Sequence, residues 1–151
     1  MTFPRLKGIE ARQEGNMPEL LTVNYDLWTL RLTLAFQPNE IVYVDFEAVE
    51  GFRVLDEGQL LEFWGDDSKD HWVFEVLNNG WLAAEAARET APSIAENSQL
   101  KEYLVAGIND CVSILDYASP PGHLQVWVHL TIHCCRTIFP PLRGRKVPRY
   151  V

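Results

Sequence analysis

The reading of one stretch, Ile41–Trp64 (IVYVDFEAVEGFRVLDEGQLLEFW), decides the fold. Val42, Val44, Phe46 and Ala48 alternate with Tyr43, Asp45 and Glu47, the period-2 pattern of a half-buried strand. Gly51 interrupts the run at a bend or bulge, and residues 52–55 resume an extended path. Asp56 then stands as a helix N-cap with Gln59 at the capping-box position. This predicts a short helix over residues 57–64, with Leu60, Phe63 and Trp64 on one face.

The flanking segments supply partners. Trp28, Leu30, Leu32, Leu34 and Phe36 alternate with Thr29, Arg31, Thr33 and Ala35, a second half-buried strand, and residues 37–40 carry turn chemistry. A loop of Pro38, Asn39 and Glu40 sets Phe36 opposite Val42, Leu34 opposite Val44 and Leu32 opposite Phe46. A two-residue loop would instead bury a carboxylate or expose the leucines, and register follows the buried face. The outer face then pairs Arg31 with Glu47 and leaves Asp45 and Glu47 in solvent.

Downstream, Gly65–Asp70 reads as an acidic loop. Its Asp66-x-Ser68-x-Asp70 spacing opens like a calcium loop, but His71 and Leu77 stand where such a loop needs Gly and Glu. Trp72–Leu77 is a strand, and Asn78-Asn79-Gly80 is a hairpin signal that places a return strand from Trp81, although WLAAEAARE has high helix propensity. Tyr103–Ile108 and Cys111–Tyr117 form a further hairpin, apolar on both sides and therefore central, with Ile108 facing Cys111 and Val105 facing Ile114. Ser119-Pro120-Pro121-Gly122 marks a boundary, and Leu124–Ile132 alternates again as a strand. The expected fold is α+β, mainly β: a twisted antiparallel sheet of six to seven strands built from hairpins, with one short helix. Residues 1–20 read as a loosely ordered N-terminal arm, 21–121 as the β-rich domain, and 122–151 as a basic C-terminal extension with a possible extra strand.

The 151 residues suit one domain, and the charge is unevenly spread over them. All 21 acidic residues lie between Glu10 and Asp116, whereas five of the 13 basic ones (Arg136, Arg143, Arg145, Lys146, Arg149) follow Pro121. A body this acidic repels nucleic-acid phosphates and anionic lipid and attracts cationic proteins. The three cysteines lack zinc spacing and suit a reducing compartment, the first residues lack the apolar run of a signal peptide, and no stretch reaches membrane-spanning length. These features predict a cytoplasmic protein.

Little in the chain spells catalysis. His129 and His133, four residues apart on a strand, stand about 13 Å from each other, too far to share an ion. Cys111 lies in an apolar hairpin and reads as a small hydrophobe, not a nucleophile. Asp45, Glu47, Glu50, Asp56 and Glu57 could supply a carboxylate pair, but surface and capping roles account for them. Phosphate-loop, dinucleotide, nucleophile-elbow and zinc-protease motifs do not occur. No catalytic residue, metal or cofactor is expected.

The runs GFRVLDEGQLLEFW, WVFEVLNNGW and KEYLVAGINDCVSIL resemble segments of small, acidic bacterial proteins of the polymorphic-toxin immunity type. That resemblance implies a non-enzymatic binder that neutralises a cationic toxin or effector, and by itself it carries over no site residue. The residues themselves nominate an acidic, aromatic-bearing surface made of Tyr43, Asp45, Glu47, Trp64, Asp66, Asp67, Asp70 and Trp72. The alternative is a small-molecule-binding or hydrolytic domain whose curved sheet encloses a pocket.

Overall fold

A computed structural model describes residues 3–11, 15–59, 63, 70–88 and 99–117, and the backbone of 125–130. The chain is mainly β. Its strands are β1 (Arg5–Gly8), β2 (Glu19–Tyr25), β3 (Leu30–Phe36), β4 (Glu40–Phe46), β5 (Val49–Asp56), β6 (Val73–Asn78), β7 (Leu100–Val105), β8 (Asp110–Tyr117) and β9 (Gln125–Leu130). They form two antiparallel sheets instead of the one sheet expected: five strands in the order β1-β6-β7-β8-β5, and four in the order β2-β3-β4-β9.

The sheets pack face to face. Alternation along β3 and β4 sends Leu30, Leu32, Leu34, Phe36, Val42, Val44 and Phe46 inward, where they meet Val73, Val105, Val112 and Ile114 of the five-stranded sheet. The five-stranded sheet also buries its outer face, where Phe63, Phe74, Val76, Leu104 and Cys111 form a second apolar cluster. This double burial is why β7 and β8 are apolar on both sides, and both strands are central as their composition required. At roughly 25 cal/mol per Å2 of apolar surface, each fully buried Leu or Phe contributes about 1.5–3 kcal/mol.

Registers depart from expectation by two residues, a shift that preserves the buried face. Leu34 pairs with Val42, Leu32 with Val44 and Leu30 with Phe46, so Arg31 faces Asp45 and not Glu47. In the central hairpin Val105 pairs with Val112 and Tyr103 with Ile114, while Ile108 lies exposed in the turn. The N-terminal segment is not a loose arm at residues 5–8, because β1 pairs with β6 and edges the five-stranded sheet. Nor does the sheet begin at Trp28: β2 precedes it from Glu19, and residues 26–29 form the turn into β3. The strand expected near Leu124 is present as β9, paired with β4 through Val126 opposite Val44 and Val128 opposite Val42.

The helical expectations exchange places. Asp56 does act as a cap, its Oδ1 accepting the Gly58 N–H at 2.9 Å, but the element that follows is a 3-10 turn over Glu57–Gln59. The rest of the helix expected over 57–64 lies outside the described residues except Phe63, which is buried. The α-helix instead forms where a strand was expected, as α1 (Trp81–Ala86). β6 is already paired on both edges, by β1 and β7, so no edge remains for a return strand and helix propensity prevails.

Candidate functional site

At one end of the sandwich, the β2–β3 turn holds two large apolar side chains in water. Asp26 organises it: its Oδ1 accepts the N–H groups of Trp28 (3.0 Å) and Thr29 (2.7 Å), and the Asp26 N–H donates to the Thr29 carbonyl (3.3 Å). The Thr29 and Trp28 N–H groups hold the Asp26 carboxyl below its ordinary pKa, so it is anionic at neutral pH. Leu27 sits in the left-handed region (φ 75°), which turns its side chain and that of Trp28 outward. Leu27 is 78% exposed and Trp28 81%.

The apolar surface continues from the tip. The Tyr25 ring meets Phe52 edge-on at 5.5 Å between centroids, and Val54 and Leu21 are exposed. Leu30 pairs with Phe46, so the chain leaving β4 at Glu47 emerges at the same end as the tip. Glu50 follows, accepting the Tyr117 hydroxyl at 2.9 Å. Asp26, Glu47 and Glu50, all exposed, thus rim an aromatic and aliphatic surface.

Only part of the surface nominated from sequence fits this description. Glu47 is exposed at the tip end, and Asp70 is exposed. Asp45 is a correction: instead of facing solvent it is buried, accepting from Arg31 Nε (2.7 Å) and Nη2 (2.6 Å). The same guanidinium lies 5.5 Å over the half-buried Tyr43 ring. Trp72 is the second correction: it is 1% exposed, packed edge-on against Phe36 at 5.3 Å, and is core instead of an anchor. Trp64, Asp66 and Asp67 lie outside the described residues. Trp28, Leu27 and Tyr25 were not singled out, since Trp28 continues the β3 alternation numerically; the Asp26-x-x-Thr29 turn signature was the signal that detaches it.

A second polar constellation lies on the outer face of the five-stranded sheet. Glu102, 1% exposed, directs Oε2 to the Leu82 N–H (2.8 Å) and so anchors the start of α1. Gly80 is required there, because a Cβ would stand 2.4 Å from that oxygen and 2.6 Å from Val76 Cγ1. Burial raises the Glu102 pKa, opposed by the N–H groups of Leu82 and Trp81 and by the charge of Arg53. Arg53 stacks on the Trp81 ring at 4.9 Å. Arg53 Nε, Glu102 Oε1 and Ser113 Oγ are buried without hydrogen-bond partners among the described residues.

The remaining features are modest. A cleft of about 300 Å3 runs along Ala35–Ile41, and a niche of about 70 Å3 adjoins His71. Cys111 is fully buried in the outer apolar cluster. Among the described residues no group of three His, Cys, Asp or Glu side chains is placed to hold a metal ion, and no helix is long and apolar enough to cross a membrane. Comparison with known proteins finds no family model, no curated protein and no solved structure that matches the chain.

Proposed function

We propose that the chain is a non-enzymatic protein-binding domain, of the immunity type its sequence resembles, which engages a cationic protein through its acidic, aromatic end. The observation that carries this reading is the tip itself: Leu27 and Trp28 are held in water by a turn whose carboxylate rigidifies it. Exposing a Trp this fully forfeits burial energy unless a partner recovers it, and Trp is a favoured interface anchor. The acids around it supply long-range attraction and the formal charge of −8 reinforces it. An odd cysteine count suits action in the cytoplasm.

Affinity capture from source lysate at low salt tests this, followed by kinetics on what is retained. The association rate should fall steeply as salt rises from about 0.1 to 1 M, where the Debye length shrinks from about 10 to about 3 Å. Trp28→Ala should speed dissociation by roughly tenfold or more. A salt-independent association rate, or unchanged dissociation of the Trp28 variant, would remove the acidic end from the reading.

A further inference from the structure

The hydrogen-bonding pattern of β2 gives the partner a shape. In an antiparallel ladder, hydrogen-bonded and non-hydrogen-bonded pairs alternate. Asp26 donates to Thr29 and closes the hairpin, so the Tyr25–Leu30 pair is unbonded, Asn24–Arg31 bonded and Val23–Leu32 unbonded. Tyr25 and Val23 therefore aim their N–H and C=O groups away from β3, at an edge of the four-stranded sheet that no strand among the described residues pairs.

That edge already accepts a strand-like partner at its other end. Across the bulge between Leu20 and Thr22, Leu20 N–H donates to Asn109 Oδ1 (3.0 Å) and Asn109 Nδ2 donates to Leu20 O (3.1 Å). Ile108 N–H donates to Pro18 O at 2.9 Å. The Asn109 carboxamide thus supplies the doublet that a neighbouring strand would make. Beyond it, the outward groups of Val23 and Tyr25 meet no protein partner among the described residues, and Tyr25 is exposed.

We propose that the free edge of β2, at Val23 and Tyr25, is a strand-addition site for an extended, basic segment of the protein partner. This rests on the cationic-partner reading above and adds how that partner is held. Main-chain bonds to the edge supply affinity, and alternate side chains supply selectivity. Apolar side chains on the inner face of the added strand cover Tyr25, Phe52 and Val54. Basic ones stand among Glu19, Asp56 and Asp110 at one end and Asp26, Glu47 and Glu50 at the other. Among the described residues, Arg31 is committed to Asp45 and Arg53 to the Trp81 ring. A second copy of the chain would set these acids against themselves.

The probe is a synthetic peptide of alternating Lys and Val, compared with an alternating Thr and Val peptide and with a Lys-Val peptide N-methylated at alternate residues. Binding is read by titration, and the edge by residue-resolved amide exchange. The Lys-Val peptide should slow exchange at Val23 and Tyr25, and N-methylation should weaken it by roughly tenfold or more, since each lost main-chain bond removes about a fewfold in affinity. Val23→Pro should weaken it similarly without opening the hairpin, because the Val23 N–H lies outside the β3 ladder. Equal binding of the N-methylated peptide, or binding without slowed exchange at Val23 and Tyr25, overturns strand addition and leaves the cationic-partner reading standing. Equal binding of the Thr-Val peptide overturns the basic partner while the edge site survives. Absence of peptide binding, or concentration-dependent dimers that protect the same amides, overturns the proposal outright.

Discussion

The tip turn and the start of α1 use one device in two settings. In each, a carboxylate accepts backbone N–H groups of the residues just ahead in space: Asp26 takes those of Trp28 and Thr29, and Glu102 those of Trp81 and Leu82. The consequences are opposite. Asp26 is open to water, so the donors dominate and its pKa falls; Glu102 is buried, so desolvation outweighs the same kind of donor and its pKa rises. What separates a surface presentation device from an internal anchor is solvent, not hydrogen-bond chemistry. The anchor holds a helix that buries no residue fully, whereas the turn displays side chains.

The comparison is broken most forcefully at the anchor. Glu102→Ala leaves the α1 N–H groups without their acceptor beside a vacated space, and should cost about 1–3 kcal/mol, measured by urea unfolding. Trp81 fluorescence should shift with it, because α1 loses its tether to β7. Acidification separates the two carboxylates next. Glu102, with its folded pKa raised above 4.5, contributes stability that is present below 4.5 and lost as pH rises through the folded value. Asp26, with its folded pKa below 3.8, contributes stability that is present above 3.8 and lost as pH falls through the folded value. Unfolding midpoints at several pH values should therefore show Glu102→Gln gaining on the native chain as pH rises above 4.5, and Asp26→Asn gaining on it below 3.8. Parallel curves for the two variants would mean that burial does not distinguish the sites.

Smaller effects sharpen the functional half. Asp26→Ala should accelerate amide exchange at Trp28 and Thr29 and weaken partner binding, with little change in the global unfolding midpoint, since the loss is confined to one turn. Trp28→Ala should change stability by no more than about 0.5 kcal/mol, as expected of an exposed side chain. Loss of binding without loss of stability is the signature that separates this ring from the buried Trp72.

Those two tryptophans also show what was legible in the sequence. Period-2 alternation identified β3, β4, β6 and β9 and which face of β3 and β4 is buried, while the hairpin apolar on both sides identified β8. It could not choose between registers two residues apart, because both keep Leu32 and Val44 inside; hence Arg31 was matched to Glu47 when it pairs with Asp45. The local pattern around Trp28 and Trp72 is the same, a ring at the start of an alternating run. What precedes the ring decides: Trp72 lies between the sheets against Phe36, whereas Trp28 falls in a turn closed by Asp26. The strand β1 and the division into two sheets depend on pairings between segments far apart in sequence, which no short window contains. The helix α1 was visible as propensity, and was misassigned because the hairpin signal at Asn79, which does adopt φ 55°, was read without knowing that β6 had no free edge.

The strand order also constrains how the chain assembles as it leaves the ribosome. β1 is made first but lies against β6, and β4 is flanked by β9, which is made after every strand of the other sheet. Until β9 is made β4 therefore carries an unpaired edge lined by Val42 and Val44, and until β6 is made β1 lacks its partner strand. Pairings of this range form slowly, on the order of milliseconds to seconds in isolated β domains. The acidic body offers the nascent chain a compensating protection: neighbouring chains on one message repel each other through their net negative charge.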